Sequence, residues 1–348
     1  MCLGKELTYE QRVQLEMLKN EGYSNSHIAK ILGKHRSTIG RELKRVTNTR
    51  YTYKLAQEHH SKMSAYRGRN LSIGSNQKLA RLIEKLIIEE HLSPRCAVGA
   101  IRRKTDFENV PCANSIYSYI DNGFIAVRRY HLPNFGKSRK GKKKSYYISN
   151  RTKGTSIEQR PEEINDRSEF GHFEGDLILG SKAKNPVVMT LTERKTRFNI
   201  DVWLPDKTQQ SVISGLDVIE RYLKNEFNLN FHDLIKSITF DNGSEFLDFK
   251  GIEKSCFNDE KRTKTYYAHP FASHERGTNE RNNGMLRRFG LKKKCDYSKF
   301  SVKKLQVITD KVNSYPRPIF DFRSAIDEFT DATGLPRNII TAFKVKVA

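Results

Sequence analysis

The sequence is short of the residues that staple small proteins or cross membranes. Five cysteines are scattered over 348 residues, at Cys2, Cys96, Cys112, Cys256 and Cys295. They form no CxxC pair and keep no paired histidine spacing, so neither a zinc module nor a disulfide framework is expected, and all five read as free thiols. No run approaches the ~18 apolar residues of a membrane span, and the mean hydropathy is −0.69. The opening MCLGKELTYEQ lacks an apolar stretch of signal-peptide length, which points to a reducing, cytoplasmic setting and no membrane partner. Negative charge is scarce as well: 40 Asp and Glu stand against 63 Lys and Arg, a net charge of +23.

That excess selects a polyanionic partner, nucleic acid first. It is concentrated in residues 1–150, which hold 29 Lys and Arg against 12 Asp and Glu, a net of +17, leaving +6 for the other 198 residues. The first part therefore reads as the binding half. At about 100–200 residues per domain the length suits two or three domains.

Within Leu7 to Val46 the apolar positions Val13, Leu15, Leu18, Ile28, Ile31, Leu32, Ile39 and Leu43 fall into three short helical stretches. SNSHIAKILGKHRSTIGREL, Ser24 to Leu43, predicts a helix capped near Ser24 or Ser26, a tight turn at Gly33, and a second helix starting around Arg36 to Thr38. That is helix-turn-helix spacing, in which the second helix enters the major groove. His35, Arg36, Ser37, Thr38 and Arg41 would then meet phosphates or base edges. A related pattern from Asn76 to Asp121 predicts a long amphipathic helix, a helix start at Ser93-Pro94, and a third helix beginning near Asn114 or Ser115 and ending at Gly123. Read as a second DNA-binding module, it offers Ser115, Tyr117 and Ser118; a packing or dimer-forming helical domain fits nearly as well. Arg128 to Lys144 ends in a basic run that reads as a phosphate-seeking linker.

Beyond the linker the apolar period changes. FEGDLILG, NPVVMTLTE and RFNIDVWLP predict an antiparallel three-strand meander, followed by a helix over Thr208 to Phe227. Strands at Ile235 to Phe240 and Thr265 to Ala268 come next, then a helix from about Thr278 to Phe289. The order implies a mixed sheet flanked by helices. Asp176 lies in the first strand, Asp241 directly follows the fourth, and Glu280 opens the late helix. If the first and fourth strands are neighbours, these three carboxylates can converge and bind two hard divalent cations for phosphoryl transfer. Glu174 and Glu245 lie close enough that the pattern alone does not choose among the acids.

GHFEGDLILG (Gly171 to Gly180), TFDNGSEF (Thr239 to Phe246) and ERGTNERNNGMLRRF (Glu275 to Phe289), behind LTYEQR and HIAKILGKHRSTIGREL, resemble the bacterial insertion-sequence transposases of the IS30 family. A weaker echo follows in VNSYPRP, Val312 to Pro318. The resemblance implies a multidomain chain: all-α helix-turn-helix modules, then an α/β RNase H-like catalytic domain of the integrase type with a mixed sheet. It further implies an acidic triad and metal-ligand set of Asp176, Asp241 and Glu280, with Mg2+ in a two-metal site and Mn2+ as a substitute. The implied partners are double-stranded DNA, both the element's terminal inverted repeats and the target, and a homodimer or higher assembly near the bacterial nucleoid. Phe173 stands where the family commonly has Trp. The 38 residues between Asp241 and Glu280 exceed the usual interval, with GIEKSCFNDEKRTKT as the expanded stretch, and the carboxy-terminal motif is degraded around DFRSAIDEF.

The expected organisation is a helix-turn-helix domain at 1–52, a basic connector at 53–75, a second helical domain at 76–127, a basic linker at 128–160, the catalytic core at 161–320 and a helical tail at 321–348. Around the triad, Arg276, Asn279, Asn283 and Arg287 are expected to contact phosphates, the last two at +3 and +7 from Glu280 on its helix face. The expected activity is metal-dependent strand cleavage and strand transfer at the element's ends. The alternatives are a decayed, non-catalytic DNA-binding regulator and a structure-selective nuclease of the same fold.

Overall fold

Thr8 starts the first helix through a reciprocal cap: its hydroxyl accepts from the Gln11 amide at 3.2 Å, while the Gln11 side chain accepts from the Thr8 amide at 3.1 Å. The computed structural model describes residues 6–46, 50–65, 71, 73–74, 76–133, 135, 154–181, 186–269 and 272–337. It divides into two units, Met1–Ser75 and Asn76–Ala348. Cys2, the basic run before Lys144 and residues 338–348 lie outside the described residues. Among those described, no helix is long and apolar enough to cross a membrane, and Cys96, Cys112, Cys256 and Cys295 are free thiols.

The first unit holds helices α1 (Tyr9–Asn20), α2 (Asn25–Ile31), α3 (Arg36–Leu43) and α4 (Tyr53–Ala65). Ser24 caps α2 and the His35 ring caps α3. Gly33, at φ +61°, makes the turn between them in a conformation that suits glycine. Leu15, Ile28 and Ile39 are fully buried at the centre, whereas Ile31 points outward. Beneath α3, Arg12 and Glu42 form a buried ion pair at 2.6 Å, and Gln57 and Arg45 satisfy further donor and acceptor atoms.

The second unit opens with α5 (Gln77–Ile88), α6 (Pro94–Lys104) and α7 (Ala113–Asp121). Ser93 caps α6 as the sequence predicts. Helix α7 begins at Ala113 behind Cys112, which makes no side-chain cap. These helices pack on the carboxy-terminal part of the unit. The Ser93 amide donates to the Tyr315 hydroxyl at 3.1 Å, and Gly99 leaves room for the Phe322 ring, which a methyl group there would approach to 2.1 Å.

The rest follows as α8 (Glu162–Asp166), β1 (His172–Ile178), β2 (Val187–Glu193), β3 (Asn199–Leu204), α9 (Gln209–Phe227), α10 (Phe231–Leu234), β4 (Ser237–Phe240), α11 (Phe249–Glu253), β5 (Lys264–Tyr267), α12 (Gly277–Phe289), α13 (Val302–Asn313) and α14 (Ala325–Thr333). The sheet order is β3-β2-β1-β4-β5. The first three strands form the expected antiparallel meander, while β4 runs parallel to both β1 and β5. One face buries Phe173, Met189 and Val202 against Leu216, Ile219 and Leu223 of α9. The other buries Ile178, Val188 and Trp203 against Leu286 of α12 and Leu305 of α13. Covered on both sides, β2 and β3 bury every residue, so their polar members must find partners inside the protein. The expanded stretch after Asp241 folds as α11 and a short excursion closed by a Lys254–Lys261 bridge.

Gly175 is where β1 admits the Phe240 ring of β4, since a methyl group there would lie 2.3 Å from Phe240 Cε1. Gly175→Ala is expected to destabilise the second unit by about 1–3 kcal/mol through overpacking. Urea unfolding followed by the fluorescence of Trp203, the single tryptophan, would show a lowered midpoint; an unchanged midpoint would contradict this packing.

Candidate active site

The sheet register brings the first two acids together. His172, Phe173 and Glu174 pair with Ser237, Ile238 and Thr239, and the same offset carried two residues on brings Asp176 level with Asp241. Asp241 leaves β4 in a turn held by its own carboxylate, which accepts from the Gly243 amide at 3.1 Å, while Asn242 Nδ2 donates to the Ala268 carbonyl at 2.7 Å. Arg276, just ahead of α12, spans both strands, donating to the Gly175 carbonyl and to Asp241 Oδ2, each at 2.9 Å.

Helix α12 is locked to the sheet by amides. Asn283 Nδ2 donates to Asp176 Oδ2 at 2.8 Å. One turn earlier, the Asn279 amide N–H donates to Glu174 Oε2 at 2.9 Å and its side chain donates to the Glu174 carbonyl at 3.2 Å. The Thr190 hydroxyl of β2 lies 3.2 Å from Asn279 Oδ1 and 3.1 Å from Asn283 Oδ1, its one proton shared between them, and Thr192 Oγ1 lies 3.4 Å from Asn279 Oδ1. Asn279 and Asn283 are therefore buried and face the sheet. The expectation that they contact phosphates is corrected: a phosphate would find their amides already used.

The acids that the sequence pattern could not separate differ sharply in surroundings. Glu174 is fully buried and paired with Arg194 at 2.6 Å, so it is a structural ion. Glu245 sits half-buried beside the Asp241 turn and accepts from the Ser244 hydroxyl at 3.3 Å. Asp176 has no cation of its own in contact. Burial pushes its carboxyl above the usual range, the Arg276 charge opposes that rise, and the Asp241 charge adds to it. Glu280 is exposed on the first turn of α12. Arg287 is half-buried, its Nε has no partner, and its charge acts on Asp176.

Among the described residues, the three potential ligands whose donor atoms all lie within 4.8 Å of one another are Asp217, Glu220 and Cys256. Arg262 fills that group, at 2.6 Å from Asp217 and 3.0 Å from Glu220. Asp176, Asp241 and Glu280 do not meet this spacing together: the Asp241 charge acts on Asp176, and Glu280 is exposed on its helix. The partners Thr190, Thr192 and Arg194 carry no signal of their own in the sequence, where TLTER marks them only by period-two alternation.

On α3, His35, Arg36, Ser37 and Arg41 are exposed and Thr38 is half-buried. Arg41 donates to the Ser37 hydroxyl at 3.2 Å, which lies 2.7 Å from His35 Nδ1. On α7, Tyr117 and Ser118 are exposed, while Ser115 is half-buried with its hydroxyl 3.3 Å from Cys112 Sγ.

A stability comparison separates the structural acid from its neighbour. Glu174→Ala leaves Arg194 buried without its partner and is expected to cost about 3–5 kcal/mol. Asp176→Asn removes a poorly compensated charge and is expected to leave stability no lower than that of the unaltered chain. Thermal unfolding checks both; equal losses would contradict the division of roles.

Residues 4–46 match the family described as a helix-turn-helix domain. Over nearly its whole length the chain is similar to a probable transposase for insertion-like sequence element IS1161 of Streptococcus salivarius, 31% identical over 339 residues, covering 92% of this chain and 93% of that protein. It is 29% identical over 332 residues to the transposase InsI of insertion sequence element IS30A from Escherichia coli K12, covering 91% of this chain and 82% of that one. Among solved structures, the catalytic core domain of BIV integrase aligns with 47% of this chain and 96% of its own, at 16% identity and a TM-score of 0.35. With helix-turn-helix helices followed by an α/β domain on a mixed five-stranded sheet, and with relatives matched end to end, the chain belongs to the IS30 family of insertion-sequence transposases.

Proposed function

We propose that the chain binds the terminal inverted repeats of its insertion sequence through residues 4–46, and cleaves and joins DNA strands at a centre formed by Asp176, Asp241 and Glu280. The observation that carries this reading is the parallel pairing of β1 with β4, whose register, continued two residues past Glu174 and Thr239, sets Asp176 level with Asp241, beside a helix whose first turn bears Glu280. The donor set fits a hard divalent cation, because carboxylate oxygens with room for waters are what Mg2+ and Mn2+ take. Arg276 supports the fit by supplying positive charge to Asp241 already.

When bound, Mg2+ supplies activation of an attacking water or 3′-hydroxyl and charge stabilisation for the leaving oxygen. Asp176, Asp241 and Glu280 would hold it. Asn283 and the Leu177 amide each donate to one oxygen of the Asp176 carboxylate and fix its orientation, and each oxygen keeps a lone pair for a ligand. Arg276 orients Asp241, and its planar fork can turn to a phosphate when a cation takes its place. Burial raises the Asp176 carboxyl above its usual range, so protons compete with a cation there and loading is favoured by rising pH.

On the binding side, the chain of contacts from Arg41 through Ser37 to His35 pre-orders the exposed face of α3 for phosphates and base edges. Tyr117 and Ser118 of α7 offer a second contact surface. Joining two ends of one element calls for a homodimer or higher assembly.

Asp176→Ala, Asp241→Ala and Glu280→Ala are each expected to abolish cleavage and joining with Mg2+ while end binding persists. Strand transfer retained in any of them would refute that residue's role. Nicking without joining by the unaltered chain would favour a nuclease, and binding without nicking of plasmid carrying cognate ends would favour a regulator. Substituting Arg36 and Arg41 with alanine is expected to do the reverse: it weakens end binding and flattens its salt dependence by about 0.9 log unit per lost phosphate contact. An unchanged salt slope would remove both from the interface.

A further inference from the structure

A cavity of 580 Å³ lies along α12, on the flank that carries Arg281 and Met285. Five guanidinium groups line it: Arg95, Arg167, Arg197, Arg281 and Arg317. No carboxylate lines it, and among the described residues none of the five forms an ion pair. Clustered arginines repel one another, and an anion seated among them relieves that repulsion.

The inner arginines are built in. Arg317, only 6% exposed, is held by Asn282 Oδ1 at 3.0 Å and the Val312 carbonyl at 3.2 Å. Its Nε is buried and has no hydrogen-bond partner. Arg197 donates to the Thr278 hydroxyl at 2.8 Å. Burial, with the neighbouring Arg197 charge second, pulls Arg317 down to about 10, which still leaves it charged at neutral pH. The first turns of two helices also reach the cavity, at Arg95 of α6 and at Gly277 and Thr278 of α12. The positive dipole ends of these helices favour an anion there.

An inorganic anion would need no apolar wall, yet Met285, Pro318 and Ile319 supply one, and Ile319 is 62% exposed. The volume suits a ligand of nucleotide size and is too small for a duplex. The cavity also adjoins the carboxylate centre along the chain: Arg276, bonded to Asp241, is followed by Gly277 in the cavity wall, and Glu280 is followed by Arg281.

We propose that this arginine-walled cavity is a nucleotide site, which seats the phosphate of one unpaired DNA nucleotide on its guanidinium groups and the sugar or base against Met285, Pro318 and Ile319. It gives a role to the PRP of VNSYPRP, the motif that the carboxylate centre leaves unexplained. The assignment of the ligand to DNA rests on the transposase reading; the anion site itself rests on the arginines.

The test is calorimetric titration of the full chain with thymidine 3′,5′-bisphosphate, at fixed ionic strength and with EDTA present. One saturable site is expected, weakened about tenfold or more, or by at least about 1.4 kcal/mol, in the Arg95→Gln, Arg281→Gln double variant. Both side chains are exposed, so the core is not opened. Absence of saturable binding, or unchanged affinity in the variant, overturns the site. Inorganic phosphate is expected to bind more weakly; equal affinity overturns the nucleotide assignment. A duplex with an unpaired dT tail is expected to displace the bisphosphate at lower concentration than a blunt duplex of equal charge, and equal displacement overturns the unpaired strand. EDTA keeps metal-loaded carboxylates out of the measurement, so failure here and failure of the cleavage assay are read separately.

Discussion

Two asparagines one helical turn apart meet two acids that are two residues apart on a strand. Four residues of helix advance about 6 Å, and two residues of strand advance about 6.6 Å, so Asn279 and Asn283 of α12 can reach Glu174 and Asp176 of β1 in step. Thr190 of β2 fastens the same amides from the next strand. This polar lock fixes where α12 lies on the sheet, and with it the positions of Arg276, Glu280 and the arginine-lined flank.

The lock sits among like charges, and the protein treats each acid differently. Glu174 is neutralised inside the fold by Arg194, and Asp241 by Arg276 at the surface. Asp176 receives hydrogen bonds from Asn283 and the Leu177 amide, while burial and the nearby Asp241 favour its protonated form. An acid held in position but not paired is suited to taking a cation from solution. The division of charge seen in the sequence follows the same logic: the +17 half contains the helix-turn-helix match, while the other half keeps carboxylates and sets arginines beside them.

Much of this architecture is legible in the amino-acid sequence. The caps at Ser24 and Ser93, the turn at Gly33 and the positions of the strands follow from local chemistry, which signals helix ends and periodicity strongly, whereas the neighbourhood of β1 and β4 is only permitted by the crossover helix. The acids are legible as a set, but the separate roles of Glu174 and Asp176 are not. Both lie on the same face of one strand, and only the burial of Arg194 separates them. Asn279 and Asn283 mislead because polar residues on a helix ordinarily face water; here a threonine-bearing strand gives them partners inside. The cavity is legible only in the PRP of VNSYPRP, since Arg95, Arg167, Arg197 and Arg281 come from separate segments that only the fold brings together.

The central claim is that Asp176 and Asp241 together form a divalent-cation site, with Arg276 supplying the charge until the ion arrives. Anomalous scattering from crystals of the full chain grown with Mn2+ tests it most directly. A manganese peak between the Asp176 and Asp241 carboxylates, with Arg276 moved off Asp241, is the expected result. Manganese at Asp217 and Glu220 instead, with Arg276 still bound to Asp241, would contradict it.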